Sequence, residues 1–235
     1  GLQNQKLFYI ATADCTGHGV PGAFMSLLNL SLLNESIIER GISNPAKVLT
    51  EQRKKIIKAL NPTGTENSKD GMDCVLCVFD LQNKTLEFAA ANNPVWIVRS
   101  LSPFDNTGVS ASRRTGDVVP NASVTSRASV TEVELIEFKP DKMPVGKGED
   151  DAREFTLQST QLQKGDLVYT FTDGFADQFG GHKGKKFMYR QLKQLLLDNH
   201  HLPLEQQREV IANTINAWKG ANEQVDDMLL IGVRV

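Results

Sequence analysis

Apolar positions gather into short extended runs at both ends of the chain and in its middle, and two blocks of helical periodicity separate them. Leu7-Phe8-Tyr9-Ile10-Ala11-Thr12-Ala13 is a continuous apolar run of strand length and predicts a buried strand. A glycine-rich turn follows, Gly17-His18-Gly19-Val20-Pro21-Gly22, with Pro21 where a first helical turn tolerates a missing N–H. Ala23–Leu33 then predicts a helix, and Gly41 ends it. This helix is apolar on most of its surface, which predicts packing deep in the domain. Pro45–Leu60 predicts a second, amphipathic helix, with Leu49, Ile56, Ile57 and Leu60 on one side and Arg53, Lys54, Lys55 and Lys58 on the other.

The period then changes from helical to extended. Cys74–Asp80, Thr85–Ala91 and Val95–Arg99, separated by Asn-Lys and Asn-Asn-Pro turns, predict an antiparallel meander. Ser100–Ser129 is rich in Ser, Thr, Gly and Asn without periodicity and reads as a long loop or partly ordered insertion. Strands are predicted again at Thr131–Phe138, Glu154–Leu157 and Leu167–Thr172. Helices follow at Lys186–Asn199 and at Leu204–Trp218, entered through Pro203, and Met228–Val235 closes the chain as a strand. Segregated runs of this kind indicate an α+β fold in which an antiparallel β-sandwich is flanked by helical pairs.

At 235 residues and 40% hydrophobic content the chain suffices for one domain spanning residues 1–235 with a sizeable core. Lys+Arg 26 against Asp+Glu 28 gives a net charge of −2, so no global field draws the chain to nucleic acid or an acidic membrane. Cys15, Cys74 and Cys77 are too few for a disulfide scaffold and fit a reducing compartment. No apolar run reaches the roughly 18–20 residues that span a bilayer. The expectation is a cytoplasmic domain without nucleic-acid or membrane contact. Because the first strand begins almost at once, the chain is expected to be the C-terminal part of a longer sensor or regulatory protein, with a strand of the sheet lying upstream.

Three acidic positions share one context. Asp14 lies just past the first strand, Asp173 just past Leu167–Thr172, and Asp226-Asp227 just before the last strand. In an antiparallel sheet such strand ends can meet at one edge. Carboxylates gathered there repel and call for a hard divalent cation, for which oxygen is the preferred donor. Taken singly, Asp173-Gly174 reads more readily as a turn and Asp226-Asp227 as a solvated turn.

The string Asp14-Cys15-Thr16-Gly17-His18-Gly19-Val20-Pro21-Gly22-Ala23 resembles the first metal motif of bacterial protein phosphatase 2C enzymes of the stage II sporulation protein E type. Gly165-Asp166-Leu167-Val168-Tyr169-Thr170-Phe171-Thr172-Asp173-Gly174-Phe175 resembles their second, and Gln224-Val225-Asp226-Asp227-Met228-Leu229 their last. Met143-Pro144-Val145-Gly146 is similar to a loop between them. The resemblance implies a serine/threonine phosphoprotein phosphatase in which two Mn²⁺ or Mg²⁺ ions are held by Asp14, the Cys15 carbonyl, Asp173 and Asp226. A metal-activated water would attack phosphoserine or phosphothreonine directly. Asp227 is left as an outer group or a ligand of a third ion. By the same resemblance the partner is a phosphorylated protein, with an anti-sigma-factor antagonist in a partner-switching circuit as the candidate.

Members of this family usually carry a further acid on a strand upstream of the one ending in Asp14, and its absence here puts the activity of this stretch in question. A non-catalytic binding domain of the same fold, recognising a regulatory protein, is therefore the alternative reading. Hydrolysis of a small phosphorylated metabolite is a third, which a closed pocket would mark. His18 reads as a structural group or a general acid. Cys74-Val75-Leu76-Cys77 has CxxC spacing, but residues three apart on a strand face opposite ways, so packed free thiols are expected rather than a zinc site. His182, His200 and His201 lack partner ligands at useful spacing. Asp70-Gly71-Met72-Asp73 is expected to be a plain turn before its strand, although it lies where it could approach the acids.

Overall fold

The computed structural model describes residues 6–61, 70–101 and 132–235. Strand β1 (Leu7–Cys15) leads through the glycine turn into helix α1 (Gly19–Asn34), which widens into a π-helical turn over Glu35–Glu39. Gly41 reverses the chain at φ 64°. Asn44 caps α2 (Pro45–Leu60), its side chain accepting the Lys47 N–H at 3.0 Å, and Pro45 supplies the first turn. Then come β2 (Gly71–Asp80), β3 (Thr85–Ala91), β4 (Val95–Leu101), β5 (Glu132–Phe138), β6 (Val145–Gly146), β7 (Gln158–Gln161) and β8 (Leu167–Phe171). The chain finishes with α3 (Gly174–Asp177), β9 (Phe179–Gly180), β10 (Lys185–Lys186), α4 (Met188–Asn199), α5 (Leu204–Lys219) and β11 (Leu230–Arg234).

Two antiparallel sheets build the sandwich, and β9 and β10 pair apart from them as a two-stranded ribbon. One runs β1-β2-β3-β7, with β6 also paired to β2, and the other runs β11-β8-β4-β5. Alternation along β2 shows why they stack. Val75, Cys77 and Phe79 face the second sheet and pack with Phe88, Ile97 and Val168. Cys74 and Leu76 face the other way, onto Val48, Leu49 and Ile56 of α2. The outer face of the second sheet carries Trp96, Tyr169 and Phe171 against Leu192, Leu196, Ile211 and Ile215 of α4 and α5. The fold is thus the α+β sandwich with a helical pair on each side. Cys74 and Cys77 lie in different layers as free thiols, burial pushing Cys77 up to about 12, so they form no joint metal site.

Several expectations need correction. The meander does not continue through β4: β3 pairs with β2, and the chain crosses to the second sheet at Asn92, whose φ of 62° turns the backbone out of register. Helix α1 is not deeply packed. Only Gly22, Met25, Asn29 and Leu33 are buried, whereas Val20 (71% exposed), Phe24 (69%) and Leu27 (65%) face outward. A helix that is apolar all round does not reveal which face goes inward. Here Gly22 decides, since a Cβ on it would lie 2.6 Å from the Gly17 carbonyl oxygen. Arg53 is not on the solvent side of α2 but fully buried. Glu154–Leu157 is not a strand, because its backbone is claimed by side chains: Phe155 N donates to Thr50 Oγ1 (3.0 Å) and Thr156 N to Asp141 Oδ2 (2.8 Å). The insertion assigned to Ser100–Ser129 lies outside the described residues beyond Leu101.

Candidate metal centre

The end of β1 is built to hold Asp14 in place. Pairing with β2 sets Asp14 opposite Asp73, so both carboxylates stand on one face of the sheet. Beyond the last pair, Thr16 N donates to the Gly71 carbonyl at 3.1 Å, and Gly71 N donates back to Thr16 Oγ1 at 3.1 Å. Two residues before Asp14, Thr12 shares a buried hydroxyl hydrogen bond of 2.5 Å with Thr170 of β8. This contact ties the two sheets together just where Asp14 and Asp173 leave them. Asp173 opens α3, its carbonyl accepting the Asp177 N–H at 3.0 Å.

Thr172 fastens the third acid. Its Oγ1 donates to the Asp227 carbonyl at 2.8 Å and accepts the Leu229 N–H at 3.0 Å, while its own N–H donates to the Leu229 carbonyl at 3.0 Å. Asp226 Oδ1 accepts the Asp227 N–H at 2.8 Å. Gly174 lets the two acidic loops touch: a Cβ there would lie 2.4 Å from the Asp227 carbonyl oxygen and 3.3 Å from Asp226 Cβ. Gly174→Ala must therefore push the Asp226-Asp227 loop away from Asp173. We expect about 1–3 kcal/mol to be lost in urea unfolding from overpacking.

The outcome is one carboxylate oxygen each from Asp14, Asp173 and Asp226, all within 4.8 Å of one another. They line an open cavity of about 590 Å³ together with Cys15, His18 and Asp73. Partial burial, and then the charges of Asp226, Asp173, Asp227 and Asp73, push the Asp14 carboxyl from 3.8 up to about 6. Burial followed by Asp226 and Asp177 raises Asp173 as well. Burial also raises Asp73, although Asn92 Nδ2, 2.7 Å from its Oδ1, works in the opposite direction. Half-buried carboxylate oxygens gathered with their charges facing one another are the donor set a hard divalent cation satisfies. The residues present fit such an ion.

All four residues singled out in the sequence meet here. Asp14, Asp173 and Asp226 form the cluster, and Cys15 lines the cavity beside them while its Sγ accepts a hydrogen bond from Asn29 Nδ2 at 3.3 Å. Asp227 and His18 line the same cavity, and the His18 ring makes no capping bond to α1. Asp73, which the sequence reading favoured as part of a plain turn while noting that it could approach the acids, lies in β2 and lines the cavity. The signal for it was the matched length of the β1 and β2 apolar runs, which sets their register and places Asp73 across from Asp14. His182 lies in the exposed turn between β9 and β10 and is not part of the cluster.

A β-sandwich between helical pairs, with an acidic cleft at the sheet edge, is the architecture of protein phosphatase 2C domains. The family model for stage II sporulation protein E (SpoIIE) matches residues 4–109 and 122–235, and the chain belongs to that family. No curated protein matches the sequence. The SiaA-PP2C domain of Pseudomonas aeruginosa is 25% identical, with a TM-score of 0.73 over 97% of this chain and 80% of that one. The PP2C phosphatase domain of the cell fate determinant SpoIIE from Bacillus subtilis, solved with a fragment of its regulatory domain, is similar at 17% identity and TM-score 0.64. That match covers 97% of this chain and 55% of that one. RsbX in complex with magnesium shares the fold at 12% identity and TM-score 0.54, over 98% and 82% of the two chains. No helix among the described residues is long and apolar enough to cross a membrane.

Proposed function

We propose that the chain is a metal-dependent serine/threonine phosphoprotein phosphatase of the cytoplasm. The observation that carries this reading is the convergence of Asp14, Asp173 and Asp226 within 4.8 Å at an open cleft. Asp14, the Cys15 carbonyl, Asp173 and Asp226 are the residues that would hold a pair of Mn²⁺ or Mg²⁺ ions. When bound, such a pair supplies an activated water and neutralises charge on the phosphoryl group.

The protein's own part is placement. Thr172, Gly174 and the Thr12–Thr170 pair hold three mutually repelling carboxylates at fixed separation, so little rearrangement accompanies cation binding. Asp73, fixed by Asn92, is an acceptor able to orient a water in the cleft. The cleft is open rather than closed, which suits a phosphorylated side chain on a protein better than a small enclosed metabolite. Family membership supports an anti-sigma-factor antagonist as the substrate and a regulatory protein as the context of the domain.

The test is hydrolysis of p-nitrophenyl phosphate and of a phosphoserine peptide by this chain, with MnCl₂ at about 2 mM or with EDTA. Turnover with manganese and none with EDTA is the expected result. Binding of the metal, measured by calorimetry, without turnover on either substrate would replace this reading with the non-catalytic binding domain.

A further inference from the structure

A second cavity, of about 810 Å³, adjoins the acidic cleft, and Thr16 lines both. Its far wall is the stretch from Lys142 to Arg153, which includes Met143 and Pro144. This wall is firmly built. Asp141 accepts from Arg153 Nη2 (3.0 Å), Thr156 N (2.8 Å) and Thr156 Oγ1 (3.1 Å), and its backbone carbonyl accepts the Asn92 N–H at 2.9 Å. Buried Arg53 holds the same stretch from beneath, donating to the carbonyls of Gly146 (2.8 Å), Asp150 (3.0 Å) and Arg153 (2.9 Å). Gly71 and Gly146 pack backbone to backbone, a Cβ on Gly71 falling 2.7 Å from the Val145 carbonyl oxygen.

Between the anchored Asp141 and the buried Met143 stands Lys142, which is exposed and has no salt-bridge partner among the described residues. Asn92 connects its neighbour to the cleft, since it bonds both Asp73 and Asp141. The Lys142 charge is near enough to Asp73 to favour the ionised carboxylate. The acids of the second cavity are differently placed: Asp151 is taken by Arg53 and by Gly148 N, and Asp150 Oδ1 by Ala152 N. Glu149 is exposed on the rim. An extended peptide whose phosphorylated residue sits over Asp14 and Asp173 must leave the cleft along some path. Past Thr16 the path is open, rigid, partly apolar and fronted by an uncommitted ammonium group.

We infer that this second cavity receives the segment flanking the phosphorylated residue, and that Lys142 there selects substrates with an Asp or Glu close to the phosphoserine. The inference names the substrate preference of the proposed phosphatase and rests on that reading for the place of the phosphate. Lys142 is a specificity residue in it and touches no reacting group.

The test uses the whole chain with Mn²⁺ and two fluorescein-labelled phosphoserine peptides that differ only in flanking residues, acidic in one and basic in the other. Binding is read by fluorescence anisotropy and turnover by phosphate release, for the native sequence and for Lys142→Glu. The expected result is a preference of about fivefold for the acidic peptide, which a single partly exposed charge pair can supply. Lys142→Glu should reverse it, with p-nitrophenyl phosphate turnover within about twofold of the native value, because that substrate does not reach past Thr16. Absence of a preference, or a preference that Lys142→Glu leaves intact, overturns the inference. An equal loss on the peptides and p-nitrophenyl phosphate also overturns it, by placing Lys142 in the metal cleft itself. A reversible charge preference in binding without any turnover keeps the subsite and removes the phosphatase reading.

Discussion

Asp173→Asn is expected to lower manganese-dependent turnover at least about 10³-fold while making the metal-free protein more, not less, resistant to heat. The two effects come from one arrangement. Asp173 shares one cluster with Asp14 and Asp226, so removing its charge takes a ligand from any cation placed there. The same change removes a partly buried charge and relieves repulsion that the metal-free fold must carry: burial first, and then the neighbouring carboxylates, raise both Asp14 and Asp173. The direction with pH follows from linkage. A carboxyl raised from 3.8 to about 6 keeps its proton longer in the folded state, so stability falls as pH rises through that interval. Above it the repulsion is fully present. In EDTA, melting temperature should therefore decline between those values and stay low at neutral pH, and Asp14→Asn should flatten the decline. Added Mn²⁺ should restore the native protein at pH 7 and do little for Asp173→Asn. A variant that lost turnover and melted earlier in EDTA would show that Asp173 acts through folding alone.

Much of this centre was legible because the family motifs lie at strand ends, and strand ends are where local sequence is most informative. Asp14 and Asp173 are each set by an apolar run that stops and a glycine that follows. Their meeting was not readable from local pattern, since it depends on β1 and β8 lying in different sheets, fastened by Thr12 and Thr170 at 158 residues' separation. Asp73 reads first as a turn for a related reason: beside Asp70 and Gly71 it looks like turn chemistry, and only the register of β1 with β2 gives it another role. The layered α+β arrangement was legible from segregated periodicities, whereas the crossover after β3 hinges on the left-handed backbone of Asn92, a conformation that a single Asn does not announce. The error over α1 has a different origin. Hydrophobicity reports how much of a helix is apolar, but the buried face was chosen by Gly22 and by Asn29, whose side chain bonds Cys15 and the Met25 carbonyl and accepts from Gln52.

Arg53 shows the same limit more sharply, and it carries the largest stability effect expected in the molecule. A positive residue beside Lys54, Lys55 and Lys58 reads as part of a solvated face, yet its guanidinium is buried and committed at every nitrogen. Nε and both Nη atoms supply three backbone carbonyls of the Gly146–Arg153 stretch, and Nη2 also meets Asp151 Oδ1 at 3.3 Å. The planar fork matters because the carbonyls diverge, which one ammonium cannot match. Arg53→Met fills much of the space but leaves those acceptors without a donor, a loss of about 3–5 kcal/mol in urea unfolding. Arg53→Lys should recover only part of it. The folded fraction of either variant should keep p-nitrophenyl phosphate turnover, because Asp14, Asp173 and Asp226 are positioned by β1, β8 and the Thr172 clamp rather than by α2. It should lose the preference for acidic phosphopeptides, because the wall that presents Lys142 is the part Arg53 holds. Unchanged stability in Arg53→Met would mean that Asp141 and the Gly71–Gly146 contact support that wall on their own.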